Sequence, residues 1–134
     1  MPTVLKSVLV AYPAQTMFDL VEDVESYPLF LPWCSGAQVS ERTNATTRAR
    51  IDIDYHGIAT HISTLNRKEA PHRMDLEFVE GPFTQFKGRW TFTPLGEAGC
   101  RVEFALDYSF SSPAMTALLG PVFGHIVAIS AQRL

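Results

Sequence analysis

The side chains able to carry acid–base or metal chemistry are scattered along this chain of 134 residues. Its four histidines, His56, His61, His72 and His125, are not at metal-ligand spacing. The sequence also contains no Ser-His-Asp order, no glycine-rich phosphate loop and no HExxH helix. His61 and His125 are candidates for reaching an interior pocket, although a solvated or hydrogen-bonded ring is the commoner arrangement. We therefore predict no catalytic residue and no metal site.

The remaining reactive groups have ordinary structural explanations. Glu22, Asp23 and Glu25 cluster at the end of a predicted helix, where we expect a solvated acidic face. Cys34 and Cys100 are far apart and show no metal-ligand spacing, so we expect two reduced structural thiols. These residues favour a binding protein over an enzyme.

Aromatic side chains are the unusual feature of the composition, with nine Phe, four Tyr and two Trp. So many rings on one sheet face are difficult to pack without gaps, and an apolar gap stays dry and accepts apolar guests. Trp90 and Tyr108 add polar groups that can orient a carbonyl by hydrogen bonding. The alternative is simple core packing. The rings expected on this face are Phe78, Phe83, Phe86, Trp90, Phe104, Tyr108 and Phe110.

A proline-rich segment, Tyr27–Trp33, carries large apolar side chains although its two prolines exclude a long helix and suit a central strand badly. We interpret it as the rim of an apolar pocket, with Phe30 and Trp33 among the lining residues. The alternative is a connector whose rings plug the bottom of the core. Gly81–Phe83 is either a mobile lip of this pocket or a plain hairpin turn.

The spacing of apolar residues predicts the elements that position these groups. Val4–Ala11 is a β-branched, apolar run and predicts a first strand. A helix is expected from Pro13, and it should end near Ser26 because Tyr27 precedes a proline and is pushed out of the α region. Its apolar stripe consists of Met17, Leu20, Val21 and Val24.

From about Ala37 onward the period changes to two, which predicts antiparallel strands with one polar and one aromatic-rich face. Short turn signals separate the strands, so we expect a meander of about six of them. The predicted turns are Tyr55–Gly57, Ala70–Pro71, Gly81–Pro82 and Gly96–Gly99.

After Ser112 and Pro113 the period becomes helical again, with a serine cap and a proline at the first helical position. A kink is expected at Gly120–Pro121. This helix is the only predicted element long enough to cover the apolar sheet face, and a pocket would lie where the two do not seal. Its expected lining residues are Leu118, Leu119 and Val122.

The order of elements resembles the helix-grip fold of the START and polyketide-cyclase superfamily. Met17–Gly36 is similar to the opening signature of its coenzyme Q-binding branch, which also includes bacterial ribosome association toxins. The strand Val102–Phe110 is a further match. Another match is the pattern of Gly81, Pro82, Phe83, Phe86, Gly88, Trp90 and Phe92. The resemblance extends over residues 1–134 as one domain, although members of the branch carry a longer C-terminal helix, so the helix is expected to be truncated here.

The resemblance implies an α+β fold in which a curved antiparallel sheet of six to seven strands wraps around a long C-terminal helix, with one or two short helices after the first strand. It also implies an apolar ligand, foremost a polyprenyl quinone (ubiquinone), bound without any required cofactor in support of respiratory electron transport. Two alternatives remain open. One is a toxin that binds the large ribosomal subunit and blocks subunit joining, and the other is a polyketide cyclase or aromatase, which needs an acid or base inside the pocket.

The charge of the chain narrows the choice of partners. A net charge of −3 disfavours wholesale binding to nucleic acid, and no DNA partner is expected. A patch for ribosomal RNA is conceivable on the outer sheet face, but acidic residues alternate with the basic ones and we favour a mixed solvated surface. The basic residues concerned are Arg42, Arg48, Arg50, Arg67 and Arg73.

The run Pro113–Ala131 has no Asp, Glu, Lys or Arg and is long enough to raise the question of a membrane span. Gly120–Pro121 and the sheet face that would lose its cover argue against spanning. We expect a cytoplasmic protein with peripheral contact at the inner face of the cytoplasmic membrane.

Overall fold

The computed structural model describes residues 3–55 and 57–117, which form an antiparallel sheet with a helix packed on one face. Seven strands pair in the order β1-β7-β6-β5-β4-β3-β2. A further helix, α2, begins at Pro113 and is described through Ala117. The elements before it are β1 Thr3–Val10, α1 Ala14–Glu22, a 3₁₀ helix Val24–Leu29, β2 Cys34–Arg42, β3 Thr46–Tyr55, β4 Ile58–Glu69, β5 Arg73–Glu80, β6 Phe83–Leu95 and β7 Gly99–Phe110.

This order confirms the predicted first strand, the short helices after it and the meander of six strands. The sheet face on which α1 packs is called the inner face below. Residues two apart along a strand share a face, so the register places Leu76, Gly88 and Leu106 side by side in one row of the inner face. Phe86 lies opposite Tyr108 in a neighbouring row. For β5, β6 and β7, the alternation read from the sequence therefore identifies the correct face of the strand.

Helix α1 ends earlier than predicted, at Glu22 rather than near Ser26. The backbone N–H of Asp23 still bonds to the carbonyl of Asp19, and the chain then tightens into the 3₁₀ helix, which includes Pro28. A proline has no N–H to donate and clashes with an α-helical turn, whereas short 3₁₀ turns around it avoid that conflict. The prediction was wrong about the boundary, although its reason, the proline, is correct.

Helix α1 covers part of the inner face, which corrects the prediction that only the C-terminal helix could do so. Met17, Phe18 and Val21 are buried against β5, β6 and β7. The Phe18 ring meets the Phe92 ring edge-on at 5.6 Å between centroids. Cys100 is fully buried in the same cluster as a free thiol.

The start of α2 follows the predicted cap. The backbone N–H of Met115 donates to Ser112 Oγ at 3.1 Å, and Pro113 occupies the first helical position. Met115 packs against the apolar residues of the sheet. The predicted kink at Gly120–Pro121 and the predicted lining residues Leu118, Leu119 and Val122 lie outside the described residues.

Strands β5 and β6 are not paired with each other at one end of the sheet. They pair from Arg73 opposite Thr91 to Glu77 opposite Lys87, and beyond that point β5 stays with β4 while β6 stays with β7. Both strands carry an irregular register there, and such bulges bend a strand and increase its twist. The turn that joins them contains Gly81, whose φ is +151°.

The outer face is a mixed charged surface, as predicted. Arg67 pairs with Glu77 at 2.9 Å between Nε and Oε2, and Arg89 pairs with Asp75 at 2.6 Å between Nε and Oδ1. Arg50 is paired as well, with Asp52 at 2.9 Å. Arg42 departs from the prediction, because it is held by Glu22 and Glu25 beside α1 instead of joining a basic patch.

Candidate ligand-binding face

Five aromatic rings gather on the inner face at the end of the sheet where β5 and β6 separate. Phe83 lies among the other four, with ring centroids 4.9 Å from Phe110, 5.1 Å from Phe86, and 6.1 Å from both Phe78 and Tyr108. The Phe110 contact is stacked, and the other three are edge-on. This group, called the ring cluster below, contains five of the residues predicted to line a pocket.

The proline-rich segment lies beside the ring cluster. Leu31 and Trp33 are buried with it, and Phe30 is half-buried against it. The carbonyl of Trp33 accepts a hydrogen bond from the backbone N–H of Asp54 at 2.9 Å, which fastens the segment to the end of β3. The segment is thus both connector and core, so the two interpretations of its aromatic residues overlap.

The predicted lining residues do not all meet. Trp90 packs instead with the residues under α1, and its ring lies 6.2 Å from that of Phe92. Phe104 lies 4.5 Å from Trp90 between ring centroids, and it is also half-buried against the larger apolar cluster that includes the five rings. The inner face therefore holds two apolar regions, with Trp90 and Phe104 at their border.

Burial changes the acidity of two groups near the ring cluster. Loss of water raises the pKa of the Tyr108 phenol, so this group stays protonated and able to donate well into the alkaline range. Burial also raises the pKa of the Cys34 thiol, which is free and contacts the carbonyl of Gly36 at 3.3 Å. Cys34 is thus an unreactive structural thiol, as predicted.

Glu22 is not on a solvated face, which corrects the sequence prediction. Its Oε1 accepts hydrogen bonds from Thr47 Oγ1 at 2.6 Å and from Arg42 Nε at 3.3 Å, and its Oε2 lies 3.0 Å from Lys68 Nζ. The Lys68 side chain is only 7% exposed and that of Glu22 17%. The last turn of α1 brings Glu22 over β3 and β4, where Thr47 and Lys68 face inward.

Sequence reasoning also missed a buried polar pair on β4. Thr64 Oγ1 donates a hydrogen bond to Asn66 Oδ1 at 2.8 Å, and both residues are buried. The available signal was the weak alternation of this strand, in which the inward positions change from apolar Ile62 to polar Thr64, Asn66 and Lys68.

The remaining acid–base candidates lie away from the inner face. His61 shares the outer-face parity of β4 and meets Glu80 at 2.8 Å between Nε2 and Oε1, while His72 is exposed. His56 and His125 lie outside the described residues. Within the described ranges, no group of three or more His, Cys, Asp or Glu could hold a metal ion, and no helix is long and apolar enough to cross a membrane.

Comparisons with known proteins agree with this architecture. The family described as "Polyketide cyclase / dehydrase and lipid transport" matches residues 10–133. The ribosome association toxin RatA of Escherichia coli K12 is 37% identical over 132 residues, covering 98% of this chain and 84% of its own. The mitochondrial coenzyme Q-binding protein COQ10 homolog B of Xenopus laevis is 24% identical over 127 residues, covering 91% of this chain and 52% of its own.

A solved START superfamily protein from Mycobacterium smegmatis superposes with a TM-score of 0.78 at 25% identity, covering 98% of this chain and 94% of that one. The seven-stranded sheet, the short helices after β1 and the matched length of sequence lead to the same assignment. The chain belongs to the polyketide cyclase / dehydrase and lipid transport family, in the branch of the START superfamily that contains ribosome association toxins and coenzyme Q-binding proteins.

Proposed function

We propose that this protein binds an apolar, isoprenoid-like ligand at the ring cluster, with a polyprenyl quinone as the first candidate. The observation that carries the proposal is the gathering of Phe78, Phe83, Phe86, Tyr108 and Phe110 on the inner face, where β5 and β6 are no longer paired. The rings offer an apolar surface to a ligand. Side chains that cover this surface can move aside with little loss of backbone hydrogen bonds, because β5 and β6 are not paired at this end of the sheet. The membership in a lipid transport family supports this choice.

The energetics require no charged group. Burial of apolar surface contributes about 0.8 kcal/mol per methylene. Micromolar binding corresponds to about 8 kcal/mol, so a few isoprene units suffice once the costs of association are deducted. In this proposal the protein carries or sequesters a quinone in support of respiratory electron transport.

Exchange of the ligand with a membrane is part of the proposal. The same end of the sheet carries the proline-rich segment, in which Leu29 is 85% exposed. An exposed Leu in the segment whose neighbouring residues pack beside the ring cluster favours peripheral contact at the inner face of the cytoplasmic membrane.

The direct test is organic extraction of the purified protein followed by mass spectrometry, together with titration of the protein by a short-chain quinone. We expect a co-purified isoprenoid or saturable quinone binding, and substitution of Phe78 by Leu should weaken that binding about fivefold by removing ring contacts. The matched control is Val79→Ala, an exposed position one residue along β5, which should bind like the wild type. If the extract contains no isoprenoid and the protein also shows no binding of added quinone, the proposal is ruled out.

A second candidate is association with the large ribosomal subunit, which would block subunit joining. The observation that favours it is the 37% identity to the Escherichia coli ribosome association toxin over 98% of this chain. The test is cosedimentation with purified ribosomal subunits over a range of salt concentrations, because contacts with RNA phosphates weaken steeply as salt rises. No binding to the large subunit at low salt would dismiss this candidate and leave quinone binding unaffected.

A polyketide cyclase would need an acid or base facing the ligand. Among the described residues, Glu22 is the carboxylate that α1 brings over the inner face, and both its oxygens are held by Thr47, Arg42 and Lys68. Since this carboxylate is committed to ion pairs, cyclisation is not proposed.

A further inference from the structure

A buried polar pair interrupts the apolar surface of the inner face. Asn66 is 5% exposed and Thr64 is 7% exposed, although their neighbours on β5 are apolar: Asn66 lies opposite Leu76, and Thr64 lies opposite Phe78. Phe78 belongs to the ring cluster. The pair therefore lies immediately beside the surface to which the proposed function assigns the ligand.

The hydrogen bond within the pair uses only half of the Asn66 amide. Thr64 Oγ1 donates to Asn66 Oδ1 at 2.8 Å, which directs the nitrogen Nδ2 and its two donor hydrogens elsewhere. Within residues 3–55 and 57–117, no acceptor receives a hydrogen bond from Nδ2. Thr47, opposite Asn66 on β3, turns its hydroxyl to Glu22 instead. Asn66 is largely buried, so an acceptor on a bound molecule would give these donor hydrogens a hydrogen bond that is shielded from water.

The charges near Asn66 are mutually compensated. Lys68 follows two residues later on the same face of β4, with its Nζ 3.0 Å from Glu22 Oε2, and Arg42 lies 3.3 Å from the other oxygen of the same carboxylate. Arg42 is also bound to Glu25 at 2.8 Å. A site next to a neutralised ion cluster attracts neither an anion nor a cation strongly, which favours an uncharged group.

We propose that Asn66 is the head-group site for the apolar ligand of the proposed function, on which this inference rests. An uncharged hydrogen-bond acceptor of the carbonyl class accepts from Asn66 Nδ2, and the apolar tail passes over Phe78 toward the ring cluster. Thr64 is a positioning residue, because its hydroxyl holds the amide in the orientation that presents the nitrogen. Leu76 provides the apolar side of the site, and its Cδ1 lies over Gly88, where an added Cβ would come within 3.1 Å of it.

The test compares two probes on the purified full chain: a benzoquinone that carries two isoprene units, and the benzene that carries the same tail without carbonyl oxygens. Displacement of a fluorescent apolar dye measures both affinities in the same way. The wild type should bind the quinone about tenfold more tightly than the benzene, the size of one good neutral hydrogen bond in a buried site. In Asn66→Leu, which keeps the number and branching of the side-chain heavy atoms and loses the donor, the two probes should bind about equally, with affinity for the benzene retained.

Two further variants sharpen the result. Thr64→Val should reduce the preference for the quinone partially, whereas Thr64→Ser, which keeps the hydroxyl, should preserve it. Asn44→Leu, the same substitution at an exposed turn position, is the matched control and should keep the full preference. If Asn66→Leu does not fold, Thr64→Val carries the comparison.

The outcomes separate this inference from the proposed function. A wild type that binds both probes equally, or an Asn66→Leu variant that keeps the preference for the quinone, overturns the head-group site and leaves apolar binding in place. A wild type that binds neither probe overturns both. Loss of the preference in Asn66→Leu, with the benzene still bound and the preference kept in Asn44→Leu, supports the site.

Discussion

At the scale of single residues, Glu22 illustrates how position decides what a carboxylate does. It lies at the end of a helix with an acidic neighbour, yet Thr47, Arg42 and Lys68 enclose it. Removing one partner of a buried ion pair leaves the other charge without compensation and is strongly destabilising. The Lys68 side chain, only 7% exposed, would be that uncompensated charge.

We expect Glu22→Leu to lower the free energy of unfolding by about 2 to 4 kcal/mol, the lower part of the range reflecting the partial exposure of the carboxylate. Denaturation by urea, monitored by circular dichroism, measures this change. Asp19→Leu, on the exposed side of the same helix, is the control and should change the free energy by less than about 1 kcal/mol. Equal effects of the two substitutions would show that the ion cluster contributes little to stability.

At the scale of elements, the end of the β5–β6 hairpin is where regular pairing stops and the ring cluster begins. Gly81 allows this turn, because its φ of +151° belongs to a region of backbone conformation that residues with a side chain rarely adopt. A Cβ at this position would also lie 3.1 Å from the carbonyl oxygen of His61 and 3.3 Å from the Phe78 ring. The position therefore excludes a side chain for two independent reasons.

Gly81→Ala should lower the free energy of unfolding by about 2 to 3 kcal/mol, because the substitution adds a clash with the β4 backbone to an unfavourable φ. Gly96→Ala is a well-matched control, since its φ is +75° and nothing lies within 4 Å of the added Cβ. The control should cost only about 1 kcal/mol. Thermal and urea denaturation of both variants provide the measurement, and a control as damaging as Gly81→Ala would contradict the role of the His61 contact.

At the scale of the whole molecule, ion pairs link the first helix to the far edge of the sheet and make stability depend on pH. The hydrogen bond from Arg42 holds the pKa of the Glu25 carboxyl below its ordinary value of 4.5. The folded state therefore binds this proton less tightly than the unfolded state does. The stability contributed by the pair is fully present above about pH 4.5 and is lost as the pH falls through the folded pKa.

Arg42→Gln should cost about 1 kcal/mol at neutral pH, a modest amount because both side chains are partly exposed and screened by solvent. The difference from the wild type should shrink as the pH falls below 4.5 and also when salt is raised. Unfolding free energies measured at a series of pH values between 3 and 7 provide the check. Arg48→Gln, at an exposed position of β3, is the control and should follow the wild type within about 0.5 kcal/mol at every pH. A gap between Arg42→Gln and the wild type that does not change with pH would contradict the link to Glu25.

Local patterns were sufficient to place the strands, their turns, the cap at Ser112 and all five residues of the ring cluster on one sheet face. Alternation with period two and turn-forming residues act between near neighbours in the chain, so they can be recognised without knowing the fold. The end of α1 was predicted too late, near Ser26. The residues just before Pro28 form a 3₁₀ helix, so the α-helix already ends at Glu22.

Only the folded arrangement revealed which distant residues meet. Glu22 and Lys68 come together because α1 docks across the sheet, and Asn66 lies opposite Leu76 because of the register between β4 and β5. Trp90 shares its parity with Phe86, yet it packs beneath α1 with Phe92. Parity along a strand tells which face a side chain occupies, but the helix that covers each part of that face is chosen by packing between elements far apart in sequence.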